Sequence, residues 1–562
     1  MSIYILGTGL SHDGSTCILK DGEIIVAIEK ERLSKRKHDG GNDFLTVQYC
    51  LNAAGITADG LSLIVQAANF ETNIPPDRYK GKRFFDSNIQ VPVHTLSHHL
   101  AHAWGAVGSS PFDECNVMVI DGAGSPFDQC IDLKPGTHPV YPFAQGMYCE
   151  KDSFYFFDGK NLNSIFKDFS EIKLFNNNSA LQLPTNQHSI GGLYSAASNY
   201  CFGNMDDAGK LMGLAPYGKL NNRPSLFNFY DGRVEVNYES VDMGFFDNPS
   251  KGYNYFREHF QHYADIARWV QHETEKATLY LFEERIKANS HPNMAYAGGV
   301  ALNAVANKKL KENTGIKNLY MQPAAGDNGL AIGCAWYGWY QLMGKSRKHI
   351  SESPFLGRAY TSKDIEHAIK SFEDSQGKPL KVYQTDNFIN ETAMLLAEGK
   401  VIGWFQDGAE FGPRALGHRS ILADPRTADI KNHINRNIKF REDFRPFAPS
   451  VQLEKVNTYF QHGWDSPYMI LIDKIKPEWK EILPGIVHED QTCRVQTVHK
   501  KWNEKFHALL DAFEQVSGIG VLLNTSLNRK GTPIVETPLQ AIELFYSGAL
   551  DILVLQNFII YK

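Results

Sequence analysis

Ser97-His98-His99-Leu100-Ala101-His102 is the strongest local signal in the chain. Ser97 is a helix-capping residue type, which predicts a helix beginning at His98. His98 and His102 then lie one turn apart on one face, the spacing with which two imidazoles grip one metal ion, while His99 points elsewhere. No Glu follows His98 as it does in the zinc-protease motif, so that class is not indicated. Two aspartates extend the set. Asp121 ends the apolar run VMVI and enters the turn Gly122-Ala123-Gly124-Ser125, and Asp327 stands in Ala325-Gly326-Asp327-Asn328-Gly329 before an apolar helix. Aspartates at the C-terminal edges of strands face the ligand cleft of an α/β sheet. Two imidazoles with two carboxylates favour iron, manganese or zinc over calcium. The plain alternative is a histidine-rich helix start and two turn-capping aspartates.

Three glycine-rich stretches suit phosphate, where bare backbone N–H groups approach oxygen closely. They are Asp121 to Ser125, Gly209-Lys210-Leu211-Met212-Gly213, and Gly298-Gly299-Val300-Ala301-Leu302-Asn303, the last after the strand MAYA and at a helix start. None is a Walker A loop. A different cluster fills the C-terminal half. Gly412-Pro413-Arg414-Ala415-Leu416-Gly417-His418-Arg419-Ser420 sets two arginines in a glycine-bounded turn. Lys431, Arg436, Lys439, Arg441, Arg445 and Arg494 follow, and Asn524-Thr525-Ser526 with Asn528 come after the strand VLL. Guanidinium forks with hydroxyls and amides make an oxyanion pocket. Nucleic-acid binding fits less well, because aromatic interleaving is modest (Phe440, Phe444, Phe447).

These groups need a scaffold that brings distant turns together. Apolar runs at 3–6, 62–66, 117–120, 401–405, 468–472 and 552–555 predict buried strands, and 261–288 and 504–516 predict helices, as does 327–343. The mixture indicates an α/β fold. Residues 15–20 and 23–28 flank Asp21-Gly22, a two-residue hairpin signal. The polar stretch 345–390 marks a boundary near 350, giving domains 1–350 and 351–562. No internal repeat is legible, and Asn176-Asn177-Asn178 reads as a polar loop.

Composition sets the outer limits. The 562 residues are 43% hydrophobic and 21% charged with a net charge of −6, so the chain buries sizeable cores and is no general nucleic-acid binder. Eight cysteines without a C-x-x-C pair fit free thiols in a reducing cytosol. The start MSIYILGTGLSHDG lacks a signal-peptide pattern, and no run of about 18 apolar residues exists to span a membrane. A cytoplasmic location is expected.

Taken in order, His12-Asp13, the stretch Glu29 to His38, HHLAH at 98–102, Asp121-Gly122, GKLMGLA at 209–215, GGVALN at 298–303, GPRALGHRS at 412–420, RPFAPS at 445–450, HED at 488–490 and NTSLN at 524–528 resemble the O-carbamoyltransferase family of the NodU/CmcH type. The resemblance spans nearly the whole chain. It implies an actin-like (ASKHA) N-terminal domain, similar to the universal tRNA threonylcarbamoyl transferase, that binds metal and nucleotide. It implies a YrdC-like α/β C-terminal domain that binds carbamoyl phosphate. Family members use ATP and carbamoyl phosphate to form carbamoyladenylate, then pass the carbamoyl group to a small-molecule hydroxyl, often in antibiotic biosynthesis.

Carried over by position, the resemblance assigns His98, His102, Asp121 and Asp327 to the metal, with iron the expected ion. Gly122, Gly124, Gly209, Lys210, Gly298, Gly299 and Asn303 fall to the nucleotide, with Mg2+ accompanying ATP. Arg414, Lys439, Arg445, Arg494, Asn524 and Ser526 match the carbamoyl-phosphate pocket, and Lys37 matches an acceptor contact. His12 is the candidate base, with a structural turn histidine as the alternative. Residues 126–190 follow the family pattern poorly and are expected to shape the acceptor site. The rival readings are carbamoylation of tRNA, of a hydrogenase-maturation protein, or a non-enzymatic actin-like ATP-binding module. An acidic chain lacks the RNA surface, the acylphosphatase domain and zinc-finger cysteines are missing, and a bare ATP module leaves the arginine cluster unexplained. No nucleic-acid or membrane partner is expected.

Overall fold

The computed structural model describes all residues except 1, 42–43, 68–89, 142–146, 173–187, 242, 348–350 and 428. The loop expected at Asn176-Asn177-Asn178 lies outside the described residues, as does position 350 itself. The chain forms two compact units, Met1–Lys30 with His38–Glu352, and Glu31–Lys37 with Ser353–Lys562.

The first unit is built on two five-stranded sheets. One contains β1 (Tyr4–Gly9), β2 (Ser15–Lys20), β3 (Glu23–Glu29), β4 (Leu63–Ala67) and β5 (Val93–Leu96), in the order β3-β2-β1-β4-β5. The other contains β6 (Cys115–Ile120), β7 (Met147–Phe157), β8 (Leu162–Ile172), β11 (Asn293–Ala297) and β12 (Asn318–Met321); a small hairpin, β9 (Phe227–Tyr230) and β10 (Arg233–Val236), stands apart. Its order is β8-β7-β6-β11-β12. In both sheets the first three strands pair antiparallel and the later two extend the first in parallel. The same topology therefore occurs twice, the duplicated plan of an actin-like core, although no repeat is legible in the sequence. Topology survives on hydrophobic pattern and turn placement, which many unrelated side chains satisfy.

The first hairpin closes on Asp21 and Gly22, both at positive φ (51° and 93°), the geometry whose twist matches the flanking strands. The helices of seven or more residues described in this unit are α1 (Phe44–Ala54), α2 (His98–Ser109), α3 (Ile190–Phe202), α4 (Ala208–Leu214), α5 (Phe260–Ala288), α6 (Ala304–Asn313) and α7 (Leu330–Tyr337). Helix α7 is fully apolar and buried, and it lies directly on β1. Gly7 permits that approach: a Cβ there would sit 2.0 Å from the Ala331 carbonyl oxygen and 2.8 Å from the Ala335 nitrogen.

The second unit centres on one mixed eight-stranded sheet. Its strands are β13 (Lys381–Gln384), β14 (Ile402–Phe405), β15 (Arg419–Ala423), β16 (Ala448–Gln452), β19 (Gln496–Val498), β20 (Val521–Ser526), β21 (Ile552–Leu555) and β22 (Phe558–Tyr561), ordered β13-β22-β21-β14-β15-β20-β16-β19; β17 (Asp473–Lys474) and β18 (Thr492–Cys493) pair separately. Helices α8 (Ser362–Gln376), α9 (Phe388–Ala397), α10 (Glu504–Ser517) and α11 (Pro538–Tyr546) complete it. Trp404, Leu509, Phe513, Ile542 and Leu553 share its core.

One expected strand does not form. Residues 468–472 are a buried loop rather than a strand, because Met469 adopts a left-handed φ of 56° that breaks the extended run. The run is apolar because it is buried, which periodicity alone does not separate from strand. Asn524 and Ser526, expected beyond a strand, lie inside β20. Among the described residues no helix is long and apolar enough to cross a membrane.

Gly7→Ala is expected to lower stability by about 1–3 kcal/mol, the usual result of forcing atoms into a closely packed contact. A urea midpoint at or above that of the wild type would disprove the close β1–α7 contact.

Candidate metal centre and cation pocket

The first site collects at the C-terminal ends of the parallel strands. Strand β5 runs straight into α2, β6 into Asp121, β11 into Gly298, and β12 into the turn that holds Asp327. The structure brings His98, His102, Asp121 and Asp327 together: one ligand atom from each lies within 4.8 Å of all the others. His98 Nε2 is 2.9 Å from Asp121 Oδ2, 3.4 Å from Asp327 Oδ1 and 3.1 Å from His102 Nε2. His102 Nε2 stands 3.6 Å from both carboxylates.

The outer oxygens are already held. Gly299 N–H donates to Asp121 Oδ1 at 3.0 Å, and the Ser11 hydroxyl donates to Asp327 Oδ2. Each carboxylate thus turns one oxygen inward, the arrangement that orients a metal ligand. Burial disfavours an imidazolium here, yet Asp327 and Asp121 outweigh it and push His98 up to about 10 and His102 upward as well. The histidines in turn hold Asp121 and Asp327 well below the usual carboxylate range, against the effect of burial. Two imidazole nitrogens and two carboxylate oxygens converging on one point fit a divalent transition metal such as iron, manganese or zinc.

The start of α2 is capped differently from the expectation. Ser97 makes no capping bond. Instead His98 N–H donates to Ser125 Oγ at 2.9 Å, and His99 N–H donates to Glu150 Oε2 at 3.1 Å. Glu150, on β7, is fully buried and also accepts from Ser125 N–H; Lys167 on β8 pairs with it at 2.5 Å. Gly124 stands where it does because a Cβ would sit 2.6 Å from Glu150 Oε2. Sequence reasoning missed Glu150, since an acidic residue far along the chain carries no local sign of capping a helix.

His12 lies beside the metal set. Its Nδ1 is 3.3 Å from Asp327 Oδ2, and its Nε2 is 3.6 Å from Asp13 and from Asp206. Its ring stacks on His38, which Asp13 holds through a 2.9 Å bond. Partial burial works against charge on His12, but Asp13, Asp206 and Asp327 raise its pKa well above the ordinary value.

The glycine turns have distinct roles. Gly298, at φ 94°, brings its backbone against β6, where a Cβ would meet the Ile120 carbonyl oxygen at 2.2 Å. Gly122 and exposed Gly209 have open space where a Cβ would point, apart from one atom 4.0 Å from Gly122. Lys210 pairs with Asp207 at 2.6 Å. Asn303 caps α6 through Ala306 N–H and exchanges two 3.1 Å bonds with Gln271, so its amide is engaged by the protein.

The second site belongs to the second unit. Arg414, Lys439, Arg441, Arg445 and Arg494 lie close enough to depress one another. Burial, then Arg445, lowers Arg414 to about 10, and burial followed by neighbouring cations puts Lys439, Arg441 and Arg494 well below their usual values. Lys37 is among the cations that depress Lys439. Arg414 Nε and Arg494 Nε are buried with no hydrogen-bond partner among the described residues. A cluster of cations with unspent donors fits an oxyanion.

Lys439 Nζ donates to the Ser526 carbonyl oxygen, Ser526 Oγ and Asn528 Oδ1 at 2.6, 3.1 and 2.5 Å. Asn524 Nδ2 donates to Gln496, Ser450 and Ala415, bracing the arginine turn. Two cations of the sequence reading fall outside the pocket. Arg419 is wholly buried, donates to the carbonyls of Gln406, His418 and Asp407, and stacks 3.6 Å over Phe405. Arg436 is a surface partner of Asp443. Arg441, named in the sequence reading of the basic cluster, lies within it beside Arg445 and Arg494.

The actin-like core thus carries a mixed imidazole–carboxylate centre, and the second unit carries a cluster of buried cations. The chain matches the family models "Carbamoyltransferase N-terminus" over residues 4–73 and 58–336 and "Carbamoyltransferase C-terminus" over 393–562. It belongs to the carbamoyltransferase family and is a transferase. A protein named "Nodulation protein NolNO" from Sinorhizobium fredii is 29% identical over 98% of this chain and 79% of its own length. The "3'-hydroxymethylcephem-O-carbamoyltransferase" of Amycolatopsis lactamdurans is 31% identical over 48% of this chain and 46% of its own. Among solved structures, HypF of T. kodakarensis aligns with a TM-score of 0.39 at 15% identity, over 61% of this chain and 48% of that one.

His98→Ala or His102→Ala is expected to remove a bound transition metal, as read by elemental analysis of purified protein. Protons compete for the same nitrogens, and both histidines hold theirs above the ordinary imidazole pKa. Apparent metal affinity in the wild type should therefore rise from pH 6.5 to 8.5, about tenfold per unit for each proton displaced. A flat calorimetric profile would contradict metal binding at these imidazoles.

Proposed function

We propose that this chain is an ATP-dependent O-carbamoyltransferase that converts carbamoyl phosphate and ATP to carbamoyladenylate and carbamoylates a hydroxyl of a small molecule. The observation that carries the reading is the cation cluster of the second unit, in which Arg414 Nε and Arg494 Nε are buried with no hydrogen-bond partner among the described residues. Carbamoyl phosphate brings the missing dianion. Arg414, Arg445 and Arg494, with Lys439, hold and orient its phosphate while water cleaves carbamoyl phosphate to inorganic phosphate and carbamate. Carbamate then attacks the α-phosphorus of ATP, and pyrophosphate leaves.

The glycine turns at Gly122, Gly209, Gly298 and Gly299, with Lys210 and Asn303, receive the nucleotide, which carries Mg2+. His98, His102, Asp121 and Asp327 would hold the family's iron or another divalent transition metal, which when bound supplies Lewis-acid polarisation of a carbonyl. His12 is the base for the acceptor hydroxyl. Asp327 orients its Nδ1, and Asp13 and Asp206 favour the imidazolium that forms once Nε2 takes the proton. Lys37 contacts the acceptor. The cephem enzyme among the relatives supports a natural-product or sugar hydroxyl as the acceptor. Eight free cysteines support a cytoplasmic setting.

Pyrophosphate release from ATP should require carbamoyl phosphate; phosphate release without it would indicate a simple ATPase. Arg414→Ala should lose use of carbamoyl phosphate by a factor of roughly 30 to several thousand, the effect of leaving a charged oxygen without its partner (on the order of 2–5 kcal/mol). The same variant should still carbamoylate an acceptor from synthetic carbamoyladenylate, whereas His98→Ala should fail with both donors. Equal loss of both activities in folded Arg414→Ala would overturn the two-site division.

A further inference from the structure

Arg414 makes no hydrogen bond of its own to the protein among the described residues, and its buried Nε is without a partner. Its aim must come from the backbone that carries it. Downstream, that backbone is pinned at almost every group. Glu410 Oε1 accepts from the N–H groups of Leu416, His418 and Arg419 at 2.6, 3.2 and 3.3 Å. The Ala415 carbonyl accepts from Asn524, and the Leu416 carbonyl from Gln496 at 2.7 Å and Asn503 at 3.3 Å. Upstream the chain enters through Gly412, at φ 121°, and exposed Pro413, which has no N–H to give.

Phe411 N–H donates to the Pro354 carbonyl oxygen at 2.7 Å, and the Gly412 carbonyl beyond it is held from 380 positions earlier in the sequence. Arg32 Nη2 donates to the Gly412 carbonyl oxygen at 2.7 Å. Residues Glu31–Lys37 pack with the second unit although the N-terminal family match covers them. The segment is docked on α11: Gln540 Nε2 donates to the Arg32 carbonyl at 3.4 Å, and Lys35 Nζ pairs with Glu543 at 3.3 Å. Arg32 itself is 2% exposed. A buried cation held against the carbonyl two residues before Arg414 is a costly choice for packing alone, since an aliphatic residue would fill the space without desolvating a charge.

We infer that Arg32 is a positioning residue of the carbamoyl-phosphate pocket: by holding Gly412 it aims Arg414, and the second unit is completed by a segment from the start of the chain. This rests on the oxyanion reading of that pocket. Arg32 touches no substrate in this role, so its effect must pass through Arg414.

The test measures calorimetric affinity of the full chain for carbamoyl phosphate and, separately, for ATP. The proteins are wild type, Arg32→Met, Arg414→Ala and the double variant. Arg32→Met should weaken carbamoyl phosphate about tenfold, the scale of a misaimed binding group, and leave ATP within about twofold. In the Arg414→Ala background it should cause no further loss, because residues acting through one another are not additive. Unchanged carbamoyl-phosphate affinity in folded Arg32→Met, or losses that multiply in the double variant, would overturn the inference while the pocket stands. A wild type that fails to bind carbamoyl phosphate removes the pocket reading and this inference together. Should Arg32→Met not fold, Arg32→Lys carries the same comparison: its single-point donor should weaken carbamoyl phosphate several-fold and spare ATP, and wild-type affinity would refute the role.

Discussion

A charge taken out of water must find an opposite charge or a dense set of dipoles, or it will not stay charged. The two units meet that constraint in opposite ways. In the first, His98 and His102 face Asp121 and Asp327, so the buried set contains both signs. In the second, five cations crowd together. The carboxylate that reaches Arg445, Glu442, is itself bonded by Lys530 at 2.7 Å. The first arrangement balances its charges internally. The second carries an excess of positive charge, which fits an anion.

Holding like charges together requires a stiff backbone, and the second unit shows where that stiffness is concentrated. Lys439 ends a π-helical turn, Ile434–Lys439, and the next residue, Phe440, takes a left-handed φ of 51°. A bulky aromatic in that conformation is strained, and such strain persists only where the surroundings over-determine it. The reversal lets Lys439 and Arg441, two positions apart, both join the cluster. Phe447 lies 4.5 Å under the Arg441 guanidinium and Asn435 accepts from its Nε, fixing the plane of the fork.

The first unit spends its polar groups on aiming α2. Glu150, Lys167 and Asp132 form a buried chain in which Lys167 bonds both carboxylates, and Tyr155 donates to Asp132. Nearby, Asp168 receives Lys151 and Arg233, while Asp152 receives Arg285. Breaking such a network from one side strands a charge, so Glu150, which accepts from His99 N–H, is firmly placed at the start of α2. The region expected to shape the acceptor site thus includes residues that hold the helix carrying His98 and His102.

Local pattern was enough to foresee some of this. Hydrophobic period marked β1, β6, β14 and β21 and the helices α5 and α10, and Asp21-Gly22 announced its hairpin, because these depend on neighbours in sequence. The spacing of His98 and His102 follows from helical pitch, and the positions of Asp121 and Asp327 follow from strand ends. Tertiary structure decided the rest. It folded 468–472 into a loop through one left-handed residue, sent Arg419 into carbonyl bonds and Arg436 to the surface, and gave the capping of α2 to Glu150 instead of Ser97. It also duplicated a sheet topology without a repeated sequence and placed Arg32 against Gly412. The capping by Glu150 and the Arg32–Gly412 contact turn on partners tens to hundreds of residues apart, whose meeting depends on packing and charge burial and leaves no periodic mark in the chain.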